Sequence, residues 1–179
     1  MPETYDVIVI GGGPAGSTSA GLLAKWGRRV LVIDKEKFPR YHIGESLVPG
    51  LMTVIEELGA TEIVEAAGAT KKYGATLLWG KGYEPWSISF DEVSAHPYAF
   101  EVKRAEFDNL LLSHARTLGA TVIEEATVRA PLFDGDRCVG VRYSTGRSDE
   151  AVEAHAPIVI DASGQAKLLA RHLDTVNWH

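Results

Sequence analysis

The sequence is poor in cysteine and in clustered positive charge. Cys138 is the single cysteine among 179 residues, so no internal disulfide can form, and no C-x-x-C or Cys/His cluster with metal-ligand spacing occurs. No metal is expected. Lys and Arg total 18 against 24 Asp and Glu, giving a net charge of −6, and the basic residues form only short clusters such as Lys35-Glu36-Lys37. This balance excludes the basic footprint of a nucleic-acid binder and the polybasic patch of a membrane-surface protein. A small-molecule partner fits it better. Met1 leads almost directly into an apolar run with no leader pattern, so a soluble cytoplasmic protein without stable membrane insertion is expected. What remains is ordinary globular composition, 45% apolar and 23% charged, enough to bury a core of about one domain.

Hydrophobic runs and their punctuation predict an α/β fold. Tyr5 to Ile10, apart from Asp6, is apolar without alternation, as in a parallel strand covered on both faces. Gly11-Gly12-Gly13-Pro14 interrupts it, a small-residue helix from Pro14 to Trp26 ends at Gly27, and Arg29 to Ile33 forms the next strand. Strand, helix and strand within about thirty residues make a βαβ unit. A long irregular segment, Lys35 to Gly50, precedes helices over Leu51 to Leu58 and up to Ala67. Tyr73 to Leu78, Trp86 to Phe90 and Tyr98 to Val102 are predicted as short antiparallel strands of a second sheet, rich in aromatics. From Arg104 to Leu118, the residues Phe107, Leu110, Leu111, Ala115 and Leu118 share one helical face. Val122 to Val128 is predicted as a strand, Asp134-Gly135 as a hairpin turn, Ala151 to Ile160 as a strand, and Gln165 to His172 as a helix.

The strongest chemical signal is Gly11-x-Gly13-x-x-Gly16 followed by Asp34. Gly11 permits the tight turn out of the strand, Gly13 lets the backbone approach a pyrophosphate, and Gly16 lets helix and strand pack closely. The helix start at Pro14 and Ala15 adds free N–H groups and a partial positive charge for phosphates. Asp34, at the end of the next strand, can accept hydrogen bonds from ribose hydroxyls, with Lys35 beside it. The pattern implies a dinucleotide and does not separate NAD from FAD.

The stretch VIVIGGGPAGSTSAGLLAKWGRRVLVIDK resembles the opening of the FAD-dependent class that includes aromatic hydroxylases, geranylgeranyl reductases and halogenases. VKRAEFDNLLLSHA and IVIDASGQ resemble later parts of that class, so the similarity spans nearly the whole chain. It implies FAD as cofactor, Arg104 near its ribityl-phosphate part, the backbone at Thr127-Val128 near its adenine, and Asp161 among its contacts. Within the class, Phe38-Pro39-Arg40-Tyr41-His42-Ile43-Gly44-Glu45-Ser46-Leu47 resembles the halogenases that act on phenols or pyrroles. That resemblance sets the Gly44-Glu45-Ser46 turn against the flavin, with Ser46 as a hydrogen-bonding group. Arg40 is a candidate phosphate partner, since its planar fork suits bidentate oxyanion contacts, the alternative being that Arg40, His42 and Glu45 belong to an ordinary surface loop.

Lys72-Tyr73-Gly74-Ala75-Thr76-Leu77-Leu78-Trp79-Gly80 resembles the halogenase stretch that carries the active-site lysine, with Leu78 one place away from an expected aromatic. Lys72 is accordingly the candidate catalytic residue, with Lys71 as competitor; strand alternation sends one of them inward and the other to solvent. The implied reaction starts with reduced FAD from a separate flavin reductase. A flavin C4a-hydroperoxide then oxidises chloride or bromide to hypohalous acid, and Lys72 directs the halogen to an electron-rich ring, free or held on a carrier protein. The resulting architecture is a Rossmann-like FAD-binding domain, residues 1–68 and 104–179, with the start of an inserted, incomplete antiparallel substrate-side sheet over 69–103. Two further segments of the family, W-x-W-x-I-P and a G-D stretch, are expected beyond His179, and without them the 179 residues alone are expected to be inactive. An aromatic monooxygenase, a geranylgeranyl-reductase-like oxidoreductase and a non-catalytic flavin-binding fragment share the glycine loop and do not require Lys72.

Overall fold

In a computed structural model, residues 4–146 and 150–175 are described. The order along the chain is β1 (Val7–Ile10), α1 (Pro14–Lys25), β2 (Val30–Ile33), α2 (Gly50–Leu58), α3 (Thr61–Ala66), β3 (Thr70–Lys72), β4 (Gly74–Leu77), β5 (Trp86–Ser89), α4 (Phe90–Val93) and β6 (Ala99–Glu101). Then come α5 (Arg104–Thr117), β7 (Thr121–Ile123), β8 (Ala126–Asp134), β9 (Arg137–Thr145), β10 (Val152–His155), β11 (Ile158–Asp161) and α6 (Leu168–His172). Two compact units result, residues 1–40 with 108–179, and residues 41–107. Helices α2 and α3, grouped by the sequence reading with the flavin-binding part, fall in the second unit.

The first unit is a mixed α/β, Rossmann-like structure. Its parallel sheet has the order β11-β1-β2-β7. The absence of alternation in β1 and β2 now has a cause, because both faces of the sheet are covered. Val7, Val9, Val30 and Val32 pack with Ala20 and Ala24 of α1 and Leu112 and Ala115 of α5. Their neighbours Ile8, Ile10, Leu31 and Ile33 point to the other side, onto Ala126, Val128, Val141, Tyr143 and Ala154 of the antiparallel sheet β10-β9-β8. Each such fully buried aliphatic side chain contributes about 1.5–3 kcal/mol.

Four details differ from the sequence reading. The run Val122 to Val128 is two strands: β7 belongs to the parallel sheet and β8 to the antiparallel one, and the chain turns between them at Glu125, whose φ is +54°. The run Ala151 to Ile160 also divides, into β10 beside β9 and β11 beside β1, with Pro157 between them. On α5 the fully buried residues include Leu112 and Asp108, which the predicted apolar face omitted. The expected single second sheet is two separate ribbons, β3-β6 and β4-β5. The hairpin at Asp134-Gly135 forms as expected, with Asp134 paired to Arg137 and Gly135 at φ +57°.

In the second unit, α2 buries Met52, Ile55 and Leu58, and it stops at Gly59 in the left-handed conformation. Phe100 is fully buried and Phe90 nearly so, whereas Trp79 and Trp86 are exposed. Among the described residues, no helix is long and apolar enough to cross a membrane.

Candidate functional site

The glycine loop of the first unit separates into glycines that the fold needs and one that it does not. A Cβ on Gly16 would collide with the carbonyl oxygen of Gly11, and one on Gly11, at φ +101°, would lie 2.5 Å from the carbonyl oxygen of Ala162. These positions are closed by the chain itself. Gly13 is different: its backbone is extended, at φ −66° and ψ −177°, and a Cβ there meets only Nη2 of Arg40, at 3.3 Å. The space over Gly13 is a cradle that a side chain would fill. Gly13 is also the N-cap of α1 and supplies no side-chain cap, and Pro14 has no N–H to satisfy. The N–H groups of Ala15 and Gly16 therefore lie at an uncapped helix start without intrahelical partners, a geometry that suits phosphate oxygens.

Asp34 is buried at the end of β2, where its Oδ2 accepts a hydrogen bond from the Gly12 N–H at 2.6 Å and Oδ1 accepts one from Glu36 at 2.8 Å. The carboxylate thus fixes the glycine loop, and each oxygen retains a further acceptor site. Asp34→Ala removes two charge-assisted bonds of about 1.5–3 kcal/mol each. The expected result is weaker FAD binding together with a stability loss of about 3–6 kcal/mol by urea denaturation. An unchanged FAD dissociation constant would argue against the ribose contact. Lys35 is exposed, with Nζ 3.8 Å from the Glu36 carboxylate.

Arg40 lies close to the loop. Its Nη1 donates to Oδ2 of Asp108 at 3.1 Å, and its guanidinium carbon stands 4.7 Å from the centroid of the Phe38 ring. Val128 sits in β8, the edge strand of its sheet, paired with Tyr143. Asp161 is occupied by the chain: Oδ1 accepts from the Ser163 N–H at 3.0 Å and Oδ2 from Leu169 at 2.7 Å, which ties β11 to α6.

The second unit holds the other candidates. Lys72 is paired with Ala99 across β3-β6, and Ser46 forms a β-bridge with Glu101. Residues two apart on a strand share a face, so Lys72, Glu101 and Ser46 project on the same side. Lys72 Nζ donates to the Ser46 hydroxyl and lies 3.9 Å from the Glu101 carboxylate and 5.9 Å from the Phe90 ring centroid. Lys71 points the other way, to Glu65 at 2.7 Å and over the Tyr98 ring at 4.2 Å. The hydrogen bond that Lys71 donates to the Glu65 carboxylate holds its ammonium above the ordinary lysine range, the reverse of what a nucleophilic amine needs. Alternation thus puts the two lysines on opposite sides of the strand, with neither side chain fully buried: Lys71 is 38% exposed and Lys72 22%. Arg104 donates to the carbonyl oxygens of Ile43 at 2.9 Å and Gly44 at 3.3 Å, and so braces the turn that carries Ser46. Sequence reasoning missed Asp108 and Glu101. The usable signal for Asp108 was a carboxylate at the first place of the stripe 108, 111, 112 and 115 on a core-facing helix.

A family model described as an FAD binding domain matches residues 4–175. The chain belongs to that FAD-binding domain family. It is 42% identical over 170 residues to a tryptophan 2-halogenase of Chondromyces crocatus, covering 95% of this chain and 32% of the relative. It is 38% identical to a 1H-pyrrole-2-carbonyl-[peptidyl-carrier protein] chlorinase of Pseudomonas fluorescens, covering 94% and 41%. Among solved structures it matches a myxobacterial chondrochloren halogenase with a TM-score of 0.83 and 43% identity, over 92% of this chain and 38% of that one. The chain spans about a third to two fifths of the relatives it matches.

Proposed function

We propose that the protein carrying this chain is an FAD-dependent halogenase that places chlorine or bromine on an electron-rich aromatic ring. The observation that supports this most is the contact of Lys72 with Ser46. It joins the lysine stretch to the FPRYHIGESL loop, 26 residues apart in sequence, the two segments on which the halogenase resemblance rests. Bound FAD, reduced by a separate flavin reductase, supplies the oxygen chemistry that oxidises the halide. The chain's own part is positional. Gly13, the N–H groups of Ala15 and Gly16, and Arg40 hold the pyrophosphate, and Asp34 holds the ribose. Arg104 fixes the Gly44 turn, while Ser46 and Glu101 hold the Lys72 amine, which directs the halogen to the ring.

A phenol or pyrrole is the substrate class we infer, and the carrier-protein pyrrole named for the Pseudomonas fluorescens relative supports a ring presented on a carrier. An indole is the second reading, because the Chondromyces crocatus relative is named for tryptophan. A cytoplasmic location belongs to the same reading, since the reductase draws on NADH. The test uses the full-length protein with FAD, a flavin reductase, NADH, oxygen and bromide, offered separate phenol, pyrrole-carrier and indole acceptors. A mass increase of one bromine replacing hydrogen on one acceptor is expected. Hydroxylated product, or NADH consumption without product, would instead assign a monooxygenase or a reductase-like flavoprotein.

A further inference from the structure

We propose that Asp108 is a positioning residue for anion binding: it holds the Arg40 guanidinium over Gly13, where the diphosphate of the cofactor lies. The inference rests on the flavin-binding part of the reading above. Asp108 has no exposed surface, and the Arg40 side chain is only 16% exposed. Burying a carboxylate is costly unless it is paired, and the 3.1 Å contact with Arg40 Nη1 is such a pairing. The same guanidinium presents Nη2 to Gly13. One edge of the planar fork is thus held by the protein and the other is turned to the loop where phosphate oxygens fit.

The support under Arg40 is built from the same helix. Phe38, over which the guanidinium lies, is buried, and its N–H donates to Glu124 at 2.6 Å. The other oxygen of Glu124 accepts from Arg116 of α5. Asp108 and Arg116, eight residues apart on α5, therefore brace the Phe38–Arg40 segment at two points. An anchored arginine loses little conformational freedom when an anion arrives, and affinity rises for that reason.

Charge and position make opposite predictions for Asp108→Asn. A carboxylate near a bound diphosphate repels it, so if only charge mattered the variant would bind an anion more tightly. Positioning predicts the reverse. In the full-length protein, ADP and adenosine serve as probes, with dissociation constants from calorimetry and FAD binding from fluorescence quenching. Asp108→Asn is expected to weaken ADP about tenfold, to leave adenosine unchanged, and to have less than about twofold further effect on ADP in an Arg40→Gln background. Unchanged or tighter ADP binding overturns the proposal, as does equal weakening of ADP and adenosine, which marks a merely structural carboxylate. If Asp108→Asn does not fold, Asp108→Glu carries the test: it keeps the charge and moves the carboxylate, so ADP alone weakens if position matters, and unchanged ADP binding overturns it. A wild-type protein that binds neither FAD nor ADP removes the flavin reading itself, a result distinct from all of these.

Discussion

Gly13→Val is expected to abolish flavin retention and leave the fold in place. The reason is the contrast within one motif. At Gly16 a side chain runs into the backbone of Gly11, so Gly16→Val is expected to yield no folded protein. At Gly13 the extended backbone accepts a β-branched residue, and the single close neighbour is Nη2 of Arg40, which has to shift by only a few tenths of an ångström. The valine methyls then occupy the space over Gly13 that we propose the pyrophosphate fills. A dissociation constant for FAD raised at least about a hundredfold, about 2.7 kcal/mol, is expected. Circular dichroism and melting temperature should stay close to wild type, because an N-cap glycine replaced by an apolar residue costs about 1 kcal/mol. The check is visible flavin absorbance per folded protein after purification. Full flavin occupancy in a folded Gly13→Val variant would refute the cradle.

The glycine loop and Asp34 were legible because they impose short-range demands: a left-handed turn at Gly11, close approach at Gly16, and an acid at the end of the next strand. The continuous apolar runs of β1 and β2 were equally readable, since a strand covered on both faces has no polar positions to alternate. What failed was the allocation of strands to sheets. Val122 to Val128 carries the Glu124-Glu125 pair in its middle, and there the chain passes from a parallel sheet to an antiparallel one, at a non-glycine residue with positive φ that no periodicity announces. Pro157 did announce the break between β10 and β11, but the apolar residues around it masked the signal. The partners of Lys72 were hidden for another reason. Glu101 and Ser46 meet it through pairing between segments far apart in sequence, and only strand register brings them to one face. The same holds for Asp108 and Arg40, 68 residues apart.

Lys72→Ala in the full-length protein is expected to retain FAD and oxygen consumption and to lose halogenated product by at least about a hundredfold, a transition-state loss of about 2.7 kcal/mol. Gly13, Asp34 and Arg40 do not touch Lys72, so the variant removes the amine and leaves the pyrophosphate cradle intact. Its structural cost is small, because Lys72 loses one hydroxyl contact and a 3.9 Å approach to a half-exposed carboxylate. Lys71→Ala is the matched control: it breaks the Glu65 pair and the contact with the Tyr98 ring, so stability changes slightly and product formation stays. Glu101→Gln should fall between the two, with unchanged flavin affinity and lower product per oxygen consumed, because an untethered amine still reaches the ring for part of the time. Measuring product against oxygen consumed separates these cases: a lost catalytic amine uncouples halogenation from oxygen use, whereas damage to the flavin cradle lowers both together. Normal halogenation in Lys72→Ala would eliminate its catalytic role, and loss of product in Lys71→Ala alone would transfer that role to its neighbour.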